Sequence, residues 1–268
     1  MKFKYLEKDK NHPLIAHFFE LKIEEEDIPF ESVVLPMGLT SMTYIYGVNQ
    51  FIIRQNNKIP LINLTVSGQF YGGYSLVTDT VGNSIGFGLR PTSLYKILKT
   101  DISKITNKHL AIKELNLELH HKLSPLFLKH KSNIPALIKS IYKVFDGLIC
   151  AEDKNLPNLD KAIDYIFEKE GLLKVQDLLK RVPFSQKSLE NQFKKVIGLT
   201  PGKYIRQYRF MKLMRKYESK EIDLKDLIYM FNYYDPSHFS KDFKLFMLQT
   251  PNAYFKKEYP LLKSYLKE

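Results

Sequence analysis

A short segment occurs twice towards the end of the 268-residue chain, and this internal repeat limits the fold more than any other feature. Phe193–Tyr204 recurs as Phe243–Tyr254 at an offset of 50 residues, with Phe, Lys, Thr, Pro and Tyr identical and in register. Five identities at one offset are improbable by chance. The sequence therefore predicts one structural unit that is present twice.

Both copies carry signals for the start of a helix. Ser185 and Asp235 lie 50 residues apart, and the side-chain oxygen of either residue type accepts from a free backbone N–H at a helix start. Thr200 and Thr250, each followed by proline, are a second pair of predicted N-caps. A short helix precedes each pair, and these predicted helices are Val175–Arg181 and Leu224–Phe231. A short helix, a tight turn and a capped helix form a helix-turn-helix, whose second helix enters the major groove of DNA.

Residues of about 158–258 resemble the tandem helix-turn-helix domain of AraC/XylS-type transcription regulators. The resemblance is carried by Ser-x-x-x-Leu-x-x-x-Phe-Lys-Lys at Ser185–Lys195 and by Gly-x-Thr-Pro-x-x-Tyr at Gly198–Tyr204. Tyr204–Arg209 is similar to the start of the family's long linking helix, and Ser237–Lys244 is similar to the second unit. The resemblance implies two helices in successive major grooves, about 34 Å apart.

Four residues depart from the family pattern. Leu179 and Ile228 stand where the family usually has alanine, and Pro183 and Asn232 stand where it usually has a turn glycine. Asparagine tolerates a left-handed backbone, so Asn232 is a mild change. Proline cannot supply a positive φ, so the first turn must differ or its helix must end earlier. These departures concern helix packing rather than the fold.

The first 92 residues or so are predicted to be β-rich. Apolar runs are separated by Gly, Pro and Asn, a pattern typical of an antiparallel barrel or sandwich. The runs are Ala16–Ile23, Ile59–Val66 and Tyr74–Thr78. From about Ser93 the pattern becomes helical, with apolar residues at helical spacing in Ile112–Phe127 and Ile134–Ile149.

The predicted fold class is α+β with two domains. Residues 1–150 form an antiparallel β-barrel or sandwich with trailing helices, which senses a ligand, dimerises or does both. Residues 151–157 are a polar linker, and residues 158–268 are the all-α tandem helix-turn-helix domain, expected to fold and bind DNA alone. Val34–Gly38 and Ile85–Pro91 resemble a less characterised N-terminal domain of some of these regulators. Residues 112–149 are the predicted dimer surface.

The charge of the chain favours a polyanionic partner. Lys and Arg outnumber Asp and Glu by 41 to 29, a net charge of +12, of which +8 falls from residue 158 onwards. Nucleic acid and a membrane surface are the usual partners of such an excess, and a lysine-rich proteome is the alternative explanation. No uncharged run approaches the ~20 residues of a membrane helix, and the N-terminus lacks an apolar signal segment. These two observations, together with the presence of a single cysteine, predict a cytoplasmic protein without a membrane partner.

The predicted DNA-binding residues are polar or basic side chains on three helices. On the first recognition helix they are Gln186, Lys187, Glu190, Asn191, Lys194 and Lys195. On the linking helix they are Arg206 and Arg209, and on the second recognition helix they are Ser237, His238, Lys241 and Lys244. Gln and Asn pair with adenine, Lys with guanine and Glu with cytosine. In the family pattern, Lys187, Glu190 and Asn191 match the base-reading positions. The alternative is an ordinary solvated helix face.

The two recognition helices are predicted to contribute unequally. The first offers four side chains that can make directional contacts with bases. The second begins with the carboxylate of Asp235, which favours the helix dipole but repels an approaching phosphate. We expect the first helix to define a specific half-site and the second to add affinity through Lys241 and Lys244.

No sequence motif supports an enzyme, a cofactor or a metal site. His120 and His121 are adjacent and so face different sides of a helix, and His238 has no carboxylate or second histidine at ligand spacing. The predicted function is a sequence-specific DNA-binding regulator, modulated by an unknown small ligand, that acts on double-stranded DNA as a homodimer, with RNA polymerase a further candidate partner. One alternative is a sensing or interaction protein whose C-terminal domain has lost specific DNA binding, motivated by Leu179, Ile228 and Pro183. The other is an enzyme with its active site in the β-domain.

Overall fold

A computed structural model describes residues 1–8, 12–220, 222–233 and 235–267. The N-terminal part of these residues forms two antiparallel sheets. The strands are β1 Lys2–Lys8, β2 Ile15–Ile23, β3 Phe30–Val34, β4 Thr40–Tyr46, β5 Gln50–Arg54, β6 Asn57–Pro60, β7 Leu64–Ser67, β8 Tyr74–Thr78, β9 Gly82–Leu89 and β10 His109–Ala111. One sheet has the order β1-β2-β9-β4-β7-β10 and the other the order β3-β8-β5-β6. The predicted sandwich is therefore confirmed, and the described strands do not close into the alternative, a barrel.

Two of the three predicted strands are confirmed, as β2 and β8. The prediction of one run over Ile59–Val66 is wrong, because this run contributes to two strands in different sheets. Strand β6 ends at Pro60, which has no N–H to donate, and Asn63 takes a left-handed backbone with φ +46°. The chain thereby leaves one sheet and enters the other.

The remaining described residues are mainly helical. The helices are α1 Ser93–Leu98, α2 Ile112–Leu115, α3 Leu117–Lys129, α4 Ile134–Asp146, α5 Leu156–Glu168, α6 Val175–Leu179, α7 Gln186–Ile197, α8 Pro201–Glu218, α9 Leu224–Met230, α10 Pro236–Met247, α11 Pro251–Tyr254 and α12 Pro260–Leu266. None of the described helices combines the length and the apolar character that crossing a bilayer requires.

The predicted helix over Ile112–Phe127 is broken at Asn116. This residue has an extended backbone, and its side chain accepts from the backbone N–H of Leu119 to cap α3. Helix α4 ends at Asp146, three residues before the predicted end, with Gly147 at its C-cap. Both differences reflect capping chemistry, which apolar spacing alone does not report.

The six-stranded sheet presents two unlike faces. One face carries large apolar side chains, among them Phe18, Met42 and Phe87, which are fully buried. Helices α3 and α4 cover this face, and the ring of Phe87 meets that of Phe145 edge to face at 5.3 Å. The other face is directed towards the four-stranded sheet and carries mostly small or polar residues.

The two halves of the chain share both of their hydrophobic cores. The core beneath α3 and α4 continues into Leu178, Leu189 and Phe193, while Phe30 and Leu76 of the four-stranded sheet join the core of the last helices. The predicted linker is docked rather than free. Helix α5 begins at Leu156, and the backbone N–H of Ala151 donates to the carbonyl of Lys96 at 2.8 Å.

Candidate nucleic-acid interface and an internal cavity

The first helix-turn-helix unit consists of α6 and α7. The Ser185 hydroxyl accepts from the backbone N–H of Ser188 at 3.2 Å, and Gly198 ends α7 with φ +95°. Leu189 and Phe193 are fully buried and fix the inner side of the helix. The predicted start of the first recognition helix is therefore confirmed.

The second unit consists of α9 and α10. The Asp235 carboxylate accepts from the backbone N–H of His238 at 2.8 Å, as the 50-residue offset predicts. Leu248 ends α10 at a left-handed φ of +60°, where the first unit has glycine. The threonine caps also repeat, since Thr200 begins α8 and Thr250 begins α11. The duplication thus extends from the sequence to the backbone.

The two turns form despite the departures from the family pattern. Helix α6 ends at Leu179, four residues before Pro183, so the proline does not have to supply a positive φ. Asn232 takes the left-handed backbone, at φ +56°, that asparagine tolerates. Leu179 and Ile228 are half-buried at the edges of the two cores.

The exposed face of α7 carries most of the predicted DNA-binding side chains of the first unit. Gln186, Lys187, Asn191 and Lys194 are exposed. Glu190 is half-buried, and its carboxylate accepts from the Gln186 amide at 3.1 Å. These side chains extend from a helix that is rigidly capped at both ends.

Lys195 is directed towards the N-terminal half of the chain. Its ammonium nitrogen lies 3.7 Å from the Asp153 carboxylate and 5.2 Å from the centre of the Tyr95 ring. The hydrogen bond to Tyr95, and to a smaller extent the Asp153 carboxylate, raise the pKa of Lys195. Its assignment to DNA stays a prediction, and these contacts favour a role in holding the two halves together.

The predicted DNA-binding side chains of α10, like those of α7, are partly exposed and partly half-buried. Ser237, Lys241 and Lys244 are exposed. His238 is half-buried, and its ring meets the Tyr233 ring at 5.0 Å. The second unit therefore presents fewer free hydrogen-bonding groups than the first.

A buried acidic residue organises the second unit, and sequence reasoning missed it. Asp242 is fully buried, forms an ion pair with Arg206 of α8 and accepts from the Tyr233 hydroxyl at 2.8 Å. The hydrogen bond to Asp242 raises the pKa of Arg206. Arg209, also on α8, places its guanidinium 5.0 Å from the centre of the Tyr233 ring. Arg206 thus contacts α10 through Asp242, and Arg209 contacts the turn before α10 through Tyr233. These contacts leave both arginines less available to phosphate than the sequence predicts.

A signal for this network is present in the repeat. At the 50-residue offset, Gln192 corresponds to Asp242 and Pro183 corresponds to Tyr233. Two of the network residues therefore have no counterpart in the first unit. Comparing the copies for such differences, rather than for identities alone, would have identified them.

A cavity of about 210 Å³ lies between the two sheets. Its floor is the second face of the six-stranded sheet, where one row of paired residues runs across five strands. The row is His17, Gly88, Ser41, Ser67 and His109. Two sheets that pack face to face fill the gap of about 10 Å with large interdigitating side chains. Because this row is mostly small, space remains above it.

Glycine is required at one position of this row. A Cβ at Gly88 would lie 2.5 Å from the His17 ring, which is tighter than atoms tolerate. The imidazole of His17 can therefore lie across the strand only because residue 88 has no side chain. His109, at the far end, forms a 2.9 Å hydrogen bond through Nδ1 with the Ser67 hydroxyl.

The last helix forms part of the cavity wall. Leu261 and Tyr265 of α12 line it together with residues of the two sheets. The Leu35 backbone N–H donates to the Tyr265 hydroxyl at 2.7 Å, and the Tyr5 hydroxyl donates to the Tyr265 carbonyl at 3.1 Å. One wall of a cavity in the N-terminal half therefore belongs to the C-terminal half.

Two families of protein domains match the sequence. Residues 178–257 match a helix-turn-helix domain family. Residues 12–111 match a domain of unknown function, DUF6597. The helix-turn-helix interpretation of the repeat is thus confirmed. No curated protein matches the chain at a significant level of sequence similarity.

Most of the chain shares its fold with ToxT of Vibrio cholerae. One ToxT structure is 11% identical, has a TM-score of 0.50, and is matched over 89% of this chain and 97% of ToxT. An apo ToxT variant is 12% identical, with a TM-score of 0.50 over 93% of this chain and 99% of that one. A ToxT structure with a bound unsaturated fatty acid has a TM-score of 0.47 and is 12% identical over 92% and 96% of the two chains. The two matches with a TM-score of 0.50 establish a common two-domain fold.

Proposed function

We propose that this chain, whose C-terminal half is a helix-turn-helix domain of the AraC/XylS type, is a sequence-specific regulator of transcription controlled by a small ligand in its N-terminal half. The observation that carries the proposal is the exposed face of α7. A helix capped at both ends there holds Lys187 and Asn191 in solvent, within a domain of a DNA-binding family. As a regulator that binds the genome, the protein is proposed to act in the cytoplasm.

Recognition would divide between the two units. Lys187 and Asn191, with Gln186 and Glu190 beside them, would read base edges in one major groove. Lys194, Lys241 and Lys244 would bind phosphates and supply the salt-dependent part of the affinity. Phosphate contacts position a protein on the duplex, while base contacts give sequence preference.

The direct test is a gel-shift titration of the full chain with DNA from upstream of its own gene, with excess random DNA as competitor. We expect a complex that survives competition, and that is lost in the double variant Lys187→Ala with Asn191→Ala. The matched control is Lys113→Ala with Lys139→Ala, which removes exposed lysines from the N-terminal half. Binding that random DNA abolishes completely would favour the alternative, a sensing protein without specific DNA binding.

The N-terminal half is proposed to receive the ligand, because the cavity lies there and is lined in part by a helix of the DNA-binding half. Helix α12 packs against β1 and β3 and also against α8, the helix that joins the two units. A ligand that shifts α12 would therefore shift α8. The expected result is that ligand changes the DNA affinity of the full chain in the gel-shift titration.

Helices α3 and α4, within the predicted dimer surface, are proposed to join two copies of the chain. Leu117 and Leu128 are more than half exposed, and so is Ile149 just beyond α4. Exposed apolar side chains on neighbouring elements favour a protein interface. Sedimentation equilibrium of the full chain should give a dimer, and Leu128→Glu should give a monomer, whereas Val48→Glu, at an exposed site in the sheet region, should not.

The boundary between the domains is proposed to lie at residues 151–157. The profile of the helix-turn-helix domain begins beyond this segment, at residue 178. Because the two halves share both cores, the fragment 158–268 would expose apolar surface. We nevertheless expect it to be helical by circular dichroism, and an unfolded fragment would contradict the boundary.

A further inference from the structure

We infer that the cavity between the two sheets binds an uncharged, mainly apolar small molecule whose single hydroxyl or carbonyl group bonds to Nε2 of His109. This inference rests on the proposed function in one respect, namely that the N-terminal half receives a ligand. It adds the chemical class of that ligand and the residue that holds it.

The size of the cavity suits a small organic molecule. An apolar protein cavity of about 150 Å³ holds benzene. The present cavity, at about 210 Å³, has room for a molecule somewhat larger than one aromatic ring. Apolar side chains line the cavity from both sheets, among them Phe19 and Leu21 of the six-stranded sheet and Ile52 of the four-stranded sheet.

The walls carry no formal negative or permanent positive charge. Among the described residues that line the cavity there is no Asp, Glu, Lys or Arg, and the basic groups are the imidazoles of His17 and His109. Burial lowers the pKa of His109 to about 4, so this imidazole is neutral near pH 7. A carboxylate bound beside it would lose its water without gaining a cation, which is strongly unfavourable.

Two residues that line the cavity, Thr40 and His109, have a buried side-chain polar atom without a hydrogen-bond partner among the described residues, and that of His109 belongs to an imidazole ring. His109 uses Nδ1 for its bond to the Ser67 hydroxyl, while Nε2 is buried and has no hydrogen-bond partner among the described residues. The ring of His109 is held in place by Phe70 at 4.6 Å and by Tyr74 at 5.0 Å. A buried polar atom without a partner is costly, so a ligand that bonds to it gains affinity and orientation.

The row of paired residues on the floor also limits how the ligand lies. Neighbouring strands are about 4.8 Å apart, so His17 and His109, separated by four strand spacings, lie roughly 19 Å from each other along the sheet. One small ligand cannot bond to both imidazoles. The polar end of the ligand is therefore assigned to His109, and its apolar part extends over Ser67 and Ser41.

The inference is tested by calorimetric titration of the full chain with two matched sets of probes at pH 7. The linear set is 1-decanol, methyl decanoate and decanoate, and the aromatic set is 4-butylphenol and 4-butylbenzoate. In at least one set we expect the uncharged members to bind and the carboxylate to bind at least about tenfold more weakly. A carboxylate that binds as tightly as its uncharged counterparts would overturn the inference, and so would the failure of every probe to bind.

Two variants test the assignment of the site. His109→Leu should lower the affinity of the best hydroxyl probe by about tenfold, while His121→Leu, the same change at an exposed histidine, should leave it unchanged. Ser41→Leu fills the floor of the cavity and should abolish binding of all probes without loss of far-ultraviolet circular dichroism. Unchanged binding in His109→Leu or in Ser41→Leu would overturn the assignment.

The same titrations separate this inference from the proposed function. If an uncharged probe binds as described but does not alter the gel-shift affinity, the ligand site stands and the proposed control of DNA binding is wrong. If the full chain binds its upstream DNA and no probe binds the cavity, the regulator stands and the present inference is wrong.

Discussion

The two helix-turn-helix units share a backbone plan and differ in what holds it. Both recognition helices begin with a side-chain cap and end at a left-handed residue. Helix α7 is anchored by apolar side chains such as Leu189 and Phe193, whereas α10 is also anchored through the buried carboxylate of Asp242. The first unit packs with the helix-covered core of the N-terminal half, and the second packs with the four-stranded sheet.

This difference shows how a duplicated unit can divide its tasks. Because apolar side chains anchor α7, its exposed residues Lys187, Asn191 and Lys194 remain available to a partner. In α10, the support of Asp242 occupies Arg206 of the linking helix and Tyr233 of the turn. We therefore expect α7 to determine the preferred DNA sequence. We expect α10 to contribute more to holding the second unit against the linking helix.

The largest effect is expected when Asp242 is removed. Asp242→Ala leaves Arg206 and Tyr233 facing an emptied buried position, so it should lower the free energy of unfolding by about 3 kcal/mol. We take the low end of the usual range because the Arg206 side chain is 38% exposed. Urea unfolding of the full chain, followed by circular dichroism, measures this loss.

The matched substitution in the first unit is Gln192→Ala. The Gln192 side-chain oxygen is buried and has no hydrogen-bond partner within the described part of the chain, so removing it should cost less than about 1 kcal/mol. Equal losses in the two variants would show that the two units are held in the same way.

The next effect concerns base preference. Lys187→Ala and Asn191→Ala should each relax the preference at one base pair by about 1–3 kcal/mol. Ser237→Ala and Lys241→Ala, at the corresponding positions of α10, should leave the preferred sequence nearly unchanged. Affinity selection from randomised DNA distinguishes the cases, and two equally sharp half-sites for the unmodified protein would contradict the unequal division.

Substitutions at the C-terminal ends of the two recognition helices should change the stability of the protein in opposite directions. Gly198→Ala places a methyl group 2.6 Å from the Thr106 hydroxyl at a φ of +95°, so we expect a loss of stability of about 1–2 kcal/mol. Leu248→Gly relieves a left-handed leucine that is half exposed, so we expect a gain of about 0.5–1 kcal/mol. Thermal unfolding of both variants checks the signs, and a gain in Gly198→Ala would refute the geometry of the first unit.

The smallest effect should be shared by the units. Lys194 and Lys244 are identical in the repeat and exposed at equivalent positions. Either change to alanine should weaken binding to all sequences alike and make the slope of log affinity against log salt shallower by about one. Between roughly 50 and 200 mM salt, the variant should therefore lose about threefold less affinity than the unmodified protein. A loss confined to the preferred sequence would mean that the lysine reads a base.

Local chemistry made part of this structure predictable from the sequence. The caps at Ser185, Asp235, Thr200 and Thr250 depend on residues within one helical turn, so a short pattern identifies them. The repeat then places both recognition helices. The same reasoning fails at Asp242, because an acidic residue in a polar helix is indistinguishable from its exposed neighbours until Arg206 and Tyr233 are brought against it.

The cavity was unpredictable for a related reason. Ser41, Thr43, Thr65 and Ser67 alternate with apolar residues, which is also the pattern of a strand with one face in water. Only the second sheet and α12, placed above this face, turn it into an interior surface. The alternation of small polar residues on neighbouring strands remains a usable signal once the strand order is known.

The contact between Tyr5 and Tyr265 has a kinetic consequence. These residues are 260 positions apart, and contacts of large sequence separation slow folding because closing a long loop costs conformational entropy before the contact forms. Refolding should therefore form the sheets and the helical repeat before the final helix seats against β1. Undocking of that helix would open one wall of the cavity without melting a sheet. Amide hydrogen exchange in residues 260–266 should accordingly be faster than in β9, and a molecule bound in the cavity should slow it.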